Sequence, residues 1–213
     1  MWAFVVSLII PFLILGPFVP DLIVSLSSLI FLVFVFKQKL FFYFTKKPLI
    51  IFFLFCIYCI LVTIFVAEDK LLSFESSLFF FRIGIFSCLI WYLIEHNTKI
   101  LNYFYNALIF CFLALVLDGY FQYYTGFNIM GLKVAGVRVS SFFGDQLIMG
   151  SYLSRLYPLL FALFLIRKHN KWQLSFVTIL FILSTGLIYI SGERSALFFH
   201  LLSLVFIKLM VKK

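Results

Sequence analysis

The sequence predicts an all-α, polytopic transmembrane helix bundle, and three observations lead to this prediction. Apolar residues make up 65% of the 213 positions, whereas charged residues make up only 12%. Soluble domains average about 45–50% apolar and about 25% charged residues. The apolar set includes 32 phenylalanines, more than a soluble core of this size can bury. These residues also fall in long runs that are separated by short charged or turn-rich breaks.

The apolar runs predict about eight spans. A transmembrane helix needs about 20 predominantly apolar residues, because the hydrocarbon core is about 30 Å thick and a helix rises about 1.5 Å per residue. The predicted spans cover residues 2–15, 22–36, 48–66, 76–94, 100–117, 147–166, 174–190 and 196–211. The first two are short and are separated by Pro17 and Pro20, so a single re-entrant hairpin is the alternative there. We expect one transmembrane domain over residues 1–213, with an outer, periplasmic loop over residues 118–146.

The distribution of charge predicts that both termini are cytoplasmic. Lysine and arginine are enriched in cytoplasmic loops, and alternate loops of the eight-span layout contain eleven of the 17 basic residues. These eleven are Lys37, Lys39, Lys46, Lys47, Lys99, Arg167, Lys168, Lys171, Lys208, Lys212 and Lys213. Seven of the eight acidic residues fall on the opposite side, and only Glu95 falls inside. The net charge of +9 is therefore explained by membrane orientation, and a nucleic-acid partner is not expected.

Six basic residues do not fit this bias, and four of them are arginines. Arg82 and Arg155 lie about two turns inside their spans, Arg138 lies late in the outer loop, and Arg194 lies in the tight turn between the last two spans. A charged side chain within the bilayer is costly, and it normally faces a polar cavity or a partner. Arginine forms paired, charge-assisted hydrogen bonds with phosphate. Together the four arginines predict a binding site for a lipid-linked diphosphate at the outer face.

Structural roles are the alternative for each arginine taken singly. Arg82 is two helical turns from Glu75, Arg194 adjoins Glu193, and Arg155 could cap carbonyl groups within a bundle. Arg194 could also reach lipid phosphate, since long basic side chains extend toward the membrane interface.

Other polar residues are weaker candidates for acid–base or supporting roles. They are Asp118 and Asp145, which flank the outer loop, Glu193 beside Arg194, and His200, six residues into the last span. For His200 an interhelical hydrogen bond is the favoured interpretation. The four cysteines lie inside apolar runs and are interpreted as small hydrophobic residues. No paired aspartate motif or nucleotide-binding loop is present, so we expect neither a metal nor a cofactor.

Three segments resemble a known family. Residues 118–128 (DGYFQYYTGFN), followed by Gly131, resemble the entry to the outer loop of bacterial O-antigen ligases and related polysaccharide polymerases. Residues 138–146 (RVSSFFGDQ) and 150–153 (GSYL) resemble the R-x-S-G-x-F stretch that leads into the next span. Residues 191–196 (SGERSA) resemble the short S-x-R-[ST]-A turn. The resemblance covers residues 100–204. The spans before residue 100 are similar to those of the family only in their general apolar character.

The resemblance implies an inner-membrane glycosyltransferase that acts at the periplasmic face without a nucleotide sugar or a metal. Its donor would be an undecaprenyl-diphosphate-linked glycan, and its acceptor another glycan or the lipid A core of lipopolysaccharide. By motif match, Arg138 and Arg194 would bind the diphosphate. Arg82 and Arg155 do not belong to these motifs. They are included in the predicted site because a charged side chain within the bilayer is costly and needs a partner.

The chain departs from the family pattern in two ways. Members are usually about twice as long, with a further periplasmic loop whose histidine is the proposed general base. Ser141 also replaces the glycine that follows the motif serine. We therefore keep two alternatives: a transporter or flippase for an anionic lipid-linked substrate, and a non-catalytic, truncated homologue. A transporter predicts charged groups through the whole membrane depth, whereas the inner halves of these spans are almost purely apolar.

Overall fold

The chain folds into α-helices joined by short turns and one long loop. A computed structural model describes residues 2–134, 136, 138–167 and 170–211. Lys168, Lys212 and Lys213 of the predicted cytoplasmic clusters lie outside the described residues. The helices are α1 (Trp2–Ser7), α2 (Ile9–Leu15), α3 (Phe18–Gln38), α4 (Lys47–Val66), α5 (Lys70–Phe79), α6 (Phe81–His96), α7 (Lys99–Thr125), α8 (Met149–Leu165), α9 (Lys171–Ile190) and α10 (Arg194–Val211). The predicted all-helical bundle is confirmed.

Five helical segments are long and apolar enough to cross a bilayer. They are Phe18–Gln38, Lys47–Val66, Lys70–His96, Lys99–Thr125 and Lys171–Ile190. Two shorter apolar segments, Trp2–Leu15 and Met149–Leu165, accompany them. Their exposed surface is rich in large apolar side chains, which is expected where lipid rather than water surrounds a helix. The chain is therefore a multi-pass membrane protein, and the count of eight spans stays a prediction.

The first predicted span is interrupted. α1 ends at Ser7 and α2 begins at Ile9. Pro11 lacks an amide hydrogen, so it cannot donate to the carbonyl of Ser7, and its ring crowds that turn. The interruption coincides with a division of the chain into two compact units, where the sequence predicts one domain. Unit 1 comprises Met1–Ile9 and Pro17–Ile100, and unit 2 comprises Ile10–Gly16 and Leu101–Lys213.

In unit 1, α3 packs along α6. The Ser28 hydroxyl of α3 donates to the carbonyl of Arg82 over 3.0 Å. Phe31 and Phe34 meet Tyr92 with ring centroids 5.8 and 5.4 Å apart. At the opposite end from Arg82, Glu95 accepts hydrogen bonds from Tyr43 and Trp91, each of 2.6 Å. These contacts fix the turn after α3 against α6.

In unit 2, buried side chains of α7, α8 and α9 form the core. Examples are Leu108 and Leu115 of α7, Leu153 of α8 and Leu187 of α9, all with no exposed surface. Gly119 lets α7 approach α9 closely, because a Cβ there would lie 2.7 Å from the Leu187 side chain. The core continues into the long loop through Val139 and Phe143.

α7 extends farther than the sequence predicts. The expected span ends at residue 117 and the expected loop begins at Asp118, whereas α7 continues to Thr125. Asp118 and Gln122 therefore lie on a helix, and both are fully buried. From the sequence, the polarity of these two residues suggests that they lie in a loop. In the structure they lie on the helix, and their side chains form hydrogen bonds with the loop that follows.

Candidate functional site

Two buried side chains of α7 organise the long loop. Asp118 accepts the backbone N–H of Ile129 over 2.9 Å and the hydroxyl of Ser141 over 2.5 Å. Gln122 accepts the backbone N–H groups of Ser140 and Ser141 through its Oε1, at 3.1 and 2.6 Å. Both residues are 0% exposed. Buried backbone groups need partners, and here α7 supplies them to a loop that has little regular structure of its own.

Ser141 holds a backbone conformation that favours glycine. Its φ is +52°, a value at which the Cβ of a non-glycine residue is crowded. Three groups of this residue are nevertheless bonded. Its N–H donates to Gln122 and its hydroxyl donates to Asp118. Its carbonyl accepts a hydrogen bond from the Asn128 side chain over 3.1 Å. The family motif has glycine at this position, and the serine here is stabilised by its hydrogen bonds.

Arg138 reaches from this loop to the turn between α9 and α10. Its Nε donates to the carbonyl oxygen of Ser191 over 3.0 Å. Gly192 has a φ of +72°, and a Cβ there would lie 3.0 Å from the Arg138 Nε. The guanidinium group therefore lies against the glycine backbone. Arg194 follows two residues later, as the first residue of α10, so both motif arginines lie at this turn.

Glu193 caps the N-terminus of α8 from a distance of more than forty residues in sequence. Its carboxylate accepts the backbone N–H groups of Gly150 and Ser151 at 2.6 and 3.0 Å, and the Ser151 hydroxyl at 2.5 Å. The first amides of a helix lack partners within it and carry positive partial charge. Of the two roles considered for Glu193, the geometry supports the structural one, because its oxygens already accept three hydrogen bonds.

Small residues make this cap possible. A Cβ on Gly150 would lie 2.5 Å from the Ser191 hydroxyl oxygen and 3.0 Å from the Glu193 Oε1. Only glycine lets the first turn of α8 approach the α9–α10 turn this closely. In the sequence, only the glycine of the motif indicates this contact.

The other two arginines of the predicted site in unit 2, Arg194 and Arg155, are exposed. Arg194 adjoins an open pocket of about 300 Å³, which is lined by Ile188, Tyr189, Gly192, Glu193, Arg194 and Leu197. Arg155 is exposed on α8, four residues after Ser151. Residues four apart lie on the same face of a helix, so Arg155 is one turn further along the face that Glu193 contacts. Arg138, Arg194 and Arg155 thus belong to one region of unit 2.

Arg82 belongs to unit 1. Its Nη2 forms an ion pair with Asp21 at 2.8 Å, and its Nη1 donates to the Ser25 hydroxyl at 2.9 Å. The partner of Arg82 is therefore Asp21 of α3 and not Glu75, the partner that the sequence suggests. The two side chains are 29% and 61% exposed. This arrangement favours a structural role for Arg82, and its predicted contact with a diphosphate stays a prediction.

The Arg82–Asp21 pair should make a small, measurable contribution to stability. Exposed ion pairs contribute about 0.2–1 kcal/mol, so a double-mutant cycle of Asp21→Asn and Arg82→Gln should give a coupling energy of about 0.5–1 kcal/mol. The measurement is unfolding by sodium dodecyl sulfate in mixed micelles. Glu75→Gln is the matched control and should show no coupling with Arg82→Gln. Coupling to Glu75 rather than Asp21 would contradict the pairing.

The two remaining acid–base candidates differ in access. Asp145 is exposed in the loop, and its carboxylate has no hydrogen-bond partner among the described residues. His200 is 0% exposed, and its Nε2 lies 3.0 Å from the Thr185 hydroxyl. Its ring packs between Tyr157 and Phe181, with centroids 5.0 and 5.4 Å away. His200 therefore joins α10 to α9, whereas Asp145 is exposed at the surface.

Sequence reasoning missed the residues that build this region. Gln122, Asn128 and Ser191 fall within the motif segments, but nothing in the sequence distinguishes them as the hydrogen-bonding partners that hold the region together. Comparison with protein-family models, curated proteins and solved structures finds no match. Any assignment of activity must therefore rest on the residues of this chain.

Proposed function

We propose that this protein is a membrane glycosyltransferase of the O-antigen ligase and polysaccharide polymerase type. Its donor is an undecaprenyl-diphosphate-linked glycan, and its acceptor is a glycan or the lipid A core. The proposal includes the predicted topology, with about eight spans, cytoplasmic termini and an active periplasmic face of the inner membrane. Arg138 and Arg194 bind the diphosphate, and Arg155 contributes from the adjacent face of α8.

One observation supports this proposal more than any other. The three segments that resemble the family are separate in sequence, and hydrogen bonds join them into one cluster. Asp118 and Gln122 of the first segment bind Ser141 of the second. Arg138 of the second segment binds Ser191 of the third. Glu193 of the third segment then binds Gly150 and Ser151 of the second.

The chemistry of the arginines fits the proposed reaction. Glycosyl transfer from a lipid-linked donor releases a diphosphate, so negative charge must be stabilised as the glycosidic bond breaks. Preorganised cationic hydrogen-bond donors provide this stabilisation. The Nε of Arg138 is bonded to Ser191, which holds the guanidinium in place while its Nη groups have no hydrogen-bond partner among the described residues. These Nη groups are the ones available to phosphate oxygens.

Removal of either motif arginine should abolish glycan transfer in cells. Arg138→Ala and Arg194→Ala should each lower the amount of surface glycan by about 100-fold or more, the usual effect of losing one such donor. The measurement is the glycan ladder on a gel, in a host strain from which the gene has been deleted. Immunoblots of the membrane fraction establish that each variant is present.

Lys133→Ala is the matched control, because Lys133 is an exposed basic residue of the same loop. This variant should give the wild-type ladder. Normal ladders from both arginine variants would refute the proposal. Binding of the diphosphate lipid by native mass spectrometry, without any ladder from the wild-type chain, would instead support the non-catalytic alternative.

A further inference from the structure

The first part of the long loop forms a small hairpin. Phe127 and Lys133 pair as an antiparallel bridge. Between them the N–H of Gly131 donates to the carbonyl of Asn128 over 2.9 Å, and the Asn128 side chain accepts from the N–H of Leu132 over 2.7 Å. These bonds define the tip, which consists of Ile129 and Met130.

This hairpin folds back along α7 rather than away from it. The N–H of Ile129 binds the carboxylate of Asp118 over 2.9 Å, although α7 continues for seven residues beyond Asp118 to Thr125. Seven helical residues correspond to about 10 Å. The carbonyl of Leu132 is likewise bonded to Gln122 over 3.2 Å. The tip therefore lies about 10 Å back from the end of the helix.

The depth of Asp118 places the tip at the edge of the hydrocarbon. α7 begins at Lys99, and about 20 residues of helix are needed to cross about 30 Å. Counted from Lys99, that distance ends near Asp118. The remaining residues include Tyr120, Tyr123 and Tyr124, the type of residue that is enriched at membrane interfaces. The hairpin tip is level with the point where the apolar part of α7 ends.

The two side chains at the tip are apolar and exposed. Ile129 is 70% exposed and Met130 is 65% exposed. Leu117 of α7, one residue before Asp118, is 68% exposed, so the helix also exposes an apolar side chain at this depth. An unpaired backbone N–H or C=O group is costly in hydrocarbon, so a hairpin at its edge needs partners for these groups. Asp118, Gln122 and Asn128 supply such partners to this hairpin.

We propose that Ile129 and Met130 insert into the bilayer and contact lipid acyl chains. The hairpin is then a membrane-inserted anchor for the loop that carries Arg138, and the partner of this surface is lipid hydrocarbon. This inference concerns lipid contact alone and does not depend on glycosyl transfer.

Spin labels test the immersion of the tip. Ile129→Cys and Met130→Cys are made in a chain whose four native cysteines are replaced by alanine, and the labelled proteins are placed in liposomes. Collisions with dissolved oxygen, which enriches in hydrocarbon, are compared with collisions with a water-soluble nickel chelate. Phe110→Cys on the exposed face of α7 is the lipid reference, and Gln146→Cys in the loop is the aqueous reference.

Both tip labels should resemble the Phe110 label, with an oxygen-to-nickel collision ratio severalfold higher than that of the Gln146 label. Ratios equal to that of the Gln146 label would overturn the proposal. A photoreactive benzoylphenylalanine at position 129 or 130 provides a second test in the chain with its native cysteines. Crosslinks to lipid acyl chains support insertion, and an absence of lipid adducts at both positions contradicts it.

Discussion

Replacement of Asp118 by alanine should destabilise the protein by about 2–5 kcal/mol and release the long loop. The carboxylate accepts the N–H of Ile129 and the hydroxyl of Ser141, and it is fully buried. Each buried donor that loses its acceptor costs about 1–3 kcal/mol. The strain at Ser141, whose φ is +52°, would then lack one of its compensating bonds. Asp118→Asn should cost less, because its amide oxygen can still accept one bond.

Two measurements check this result. Unfolding in mixed micelles gives the loss of stability, and hydrogen exchange followed by mass spectrometry reports on the loop amides. Exchange between residues 126 and 144 should be faster in Asp118→Ala than in the wild-type chain. Asp145→Ala is the matched control, since this exposed carboxylate of the same loop has no bond to the described residues. It should change stability by less than about 0.5 kcal/mol. Unchanged loop exchange in Asp118→Ala would contradict the role given to this residue.

Gly150→Ala should disrupt the contact between α8 and the α9–α10 turn, at a cost of about 3 kcal/mol. The new Cβ would lie 2.5 Å from the Ser191 hydroxyl and 3.0 Å from the Glu193 carboxylate. The turn must move, and overpacking of this kind costs about 1–3 kcal/mol. The movement also weakens hydrogen bonds to a charged group, which contribute about 1.5–3 kcal/mol each.

Gly119→Ala is the control for this variant. Its Cβ would lie 2.7 Å from the Leu187 side chain, so it also crowds a helix contact, but it displaces only apolar atoms and no hydrogen bond. Alanine gains about 1 kcal/mol of helix propensity over glycine, so the net loss should be smaller than that of Gly150→Ala. Unfolding in mixed micelles compares the two variants. Equal losses from Gly150→Ala and Gly119→Ala would show that crowding at Glu193 is not the cause.

The sequence was informative about helices and less informative about what joins them. Apolar runs locate α4, α8 and α9 to within a few residues, because lipid-facing and core-facing positions are both apolar and only the ends need polar residues. The end of α7 was missed, since Asp118 and Gln122 are polar on a fully buried face. A carboxylate that binds a returning loop cannot be distinguished, by sequence alone, from one that lies in water.

The candidate site shows the same limit. Residue type and motif order identify Arg138 and Arg194, and the structure brings both to one turn. The sequence suggests Glu75 as a partner for Arg82, whereas the observed partner, Asp21, lies 61 residues away on another helix. The cap of α8 by Glu193 is also a long-range contact, whereas the structural alternative that the sequence offers pairs Arg194 with its neighbour Glu193. Contacts of this kind depend on how helices pack, which the spacing of residues does not determine.

The cap at α8 also bears on the order in which the protein is made. α8 is synthesised more than forty residues before Glu193, which supplies the acceptors for its first amides. Until the α9–α10 turn has been translated and has reached the same side of the membrane, the start of α8 has no partner from that turn. The N-terminal end of α8 is therefore completed by a later hairpin, and the region around Arg138 takes its final form only after α9 and the start of α10 are in place.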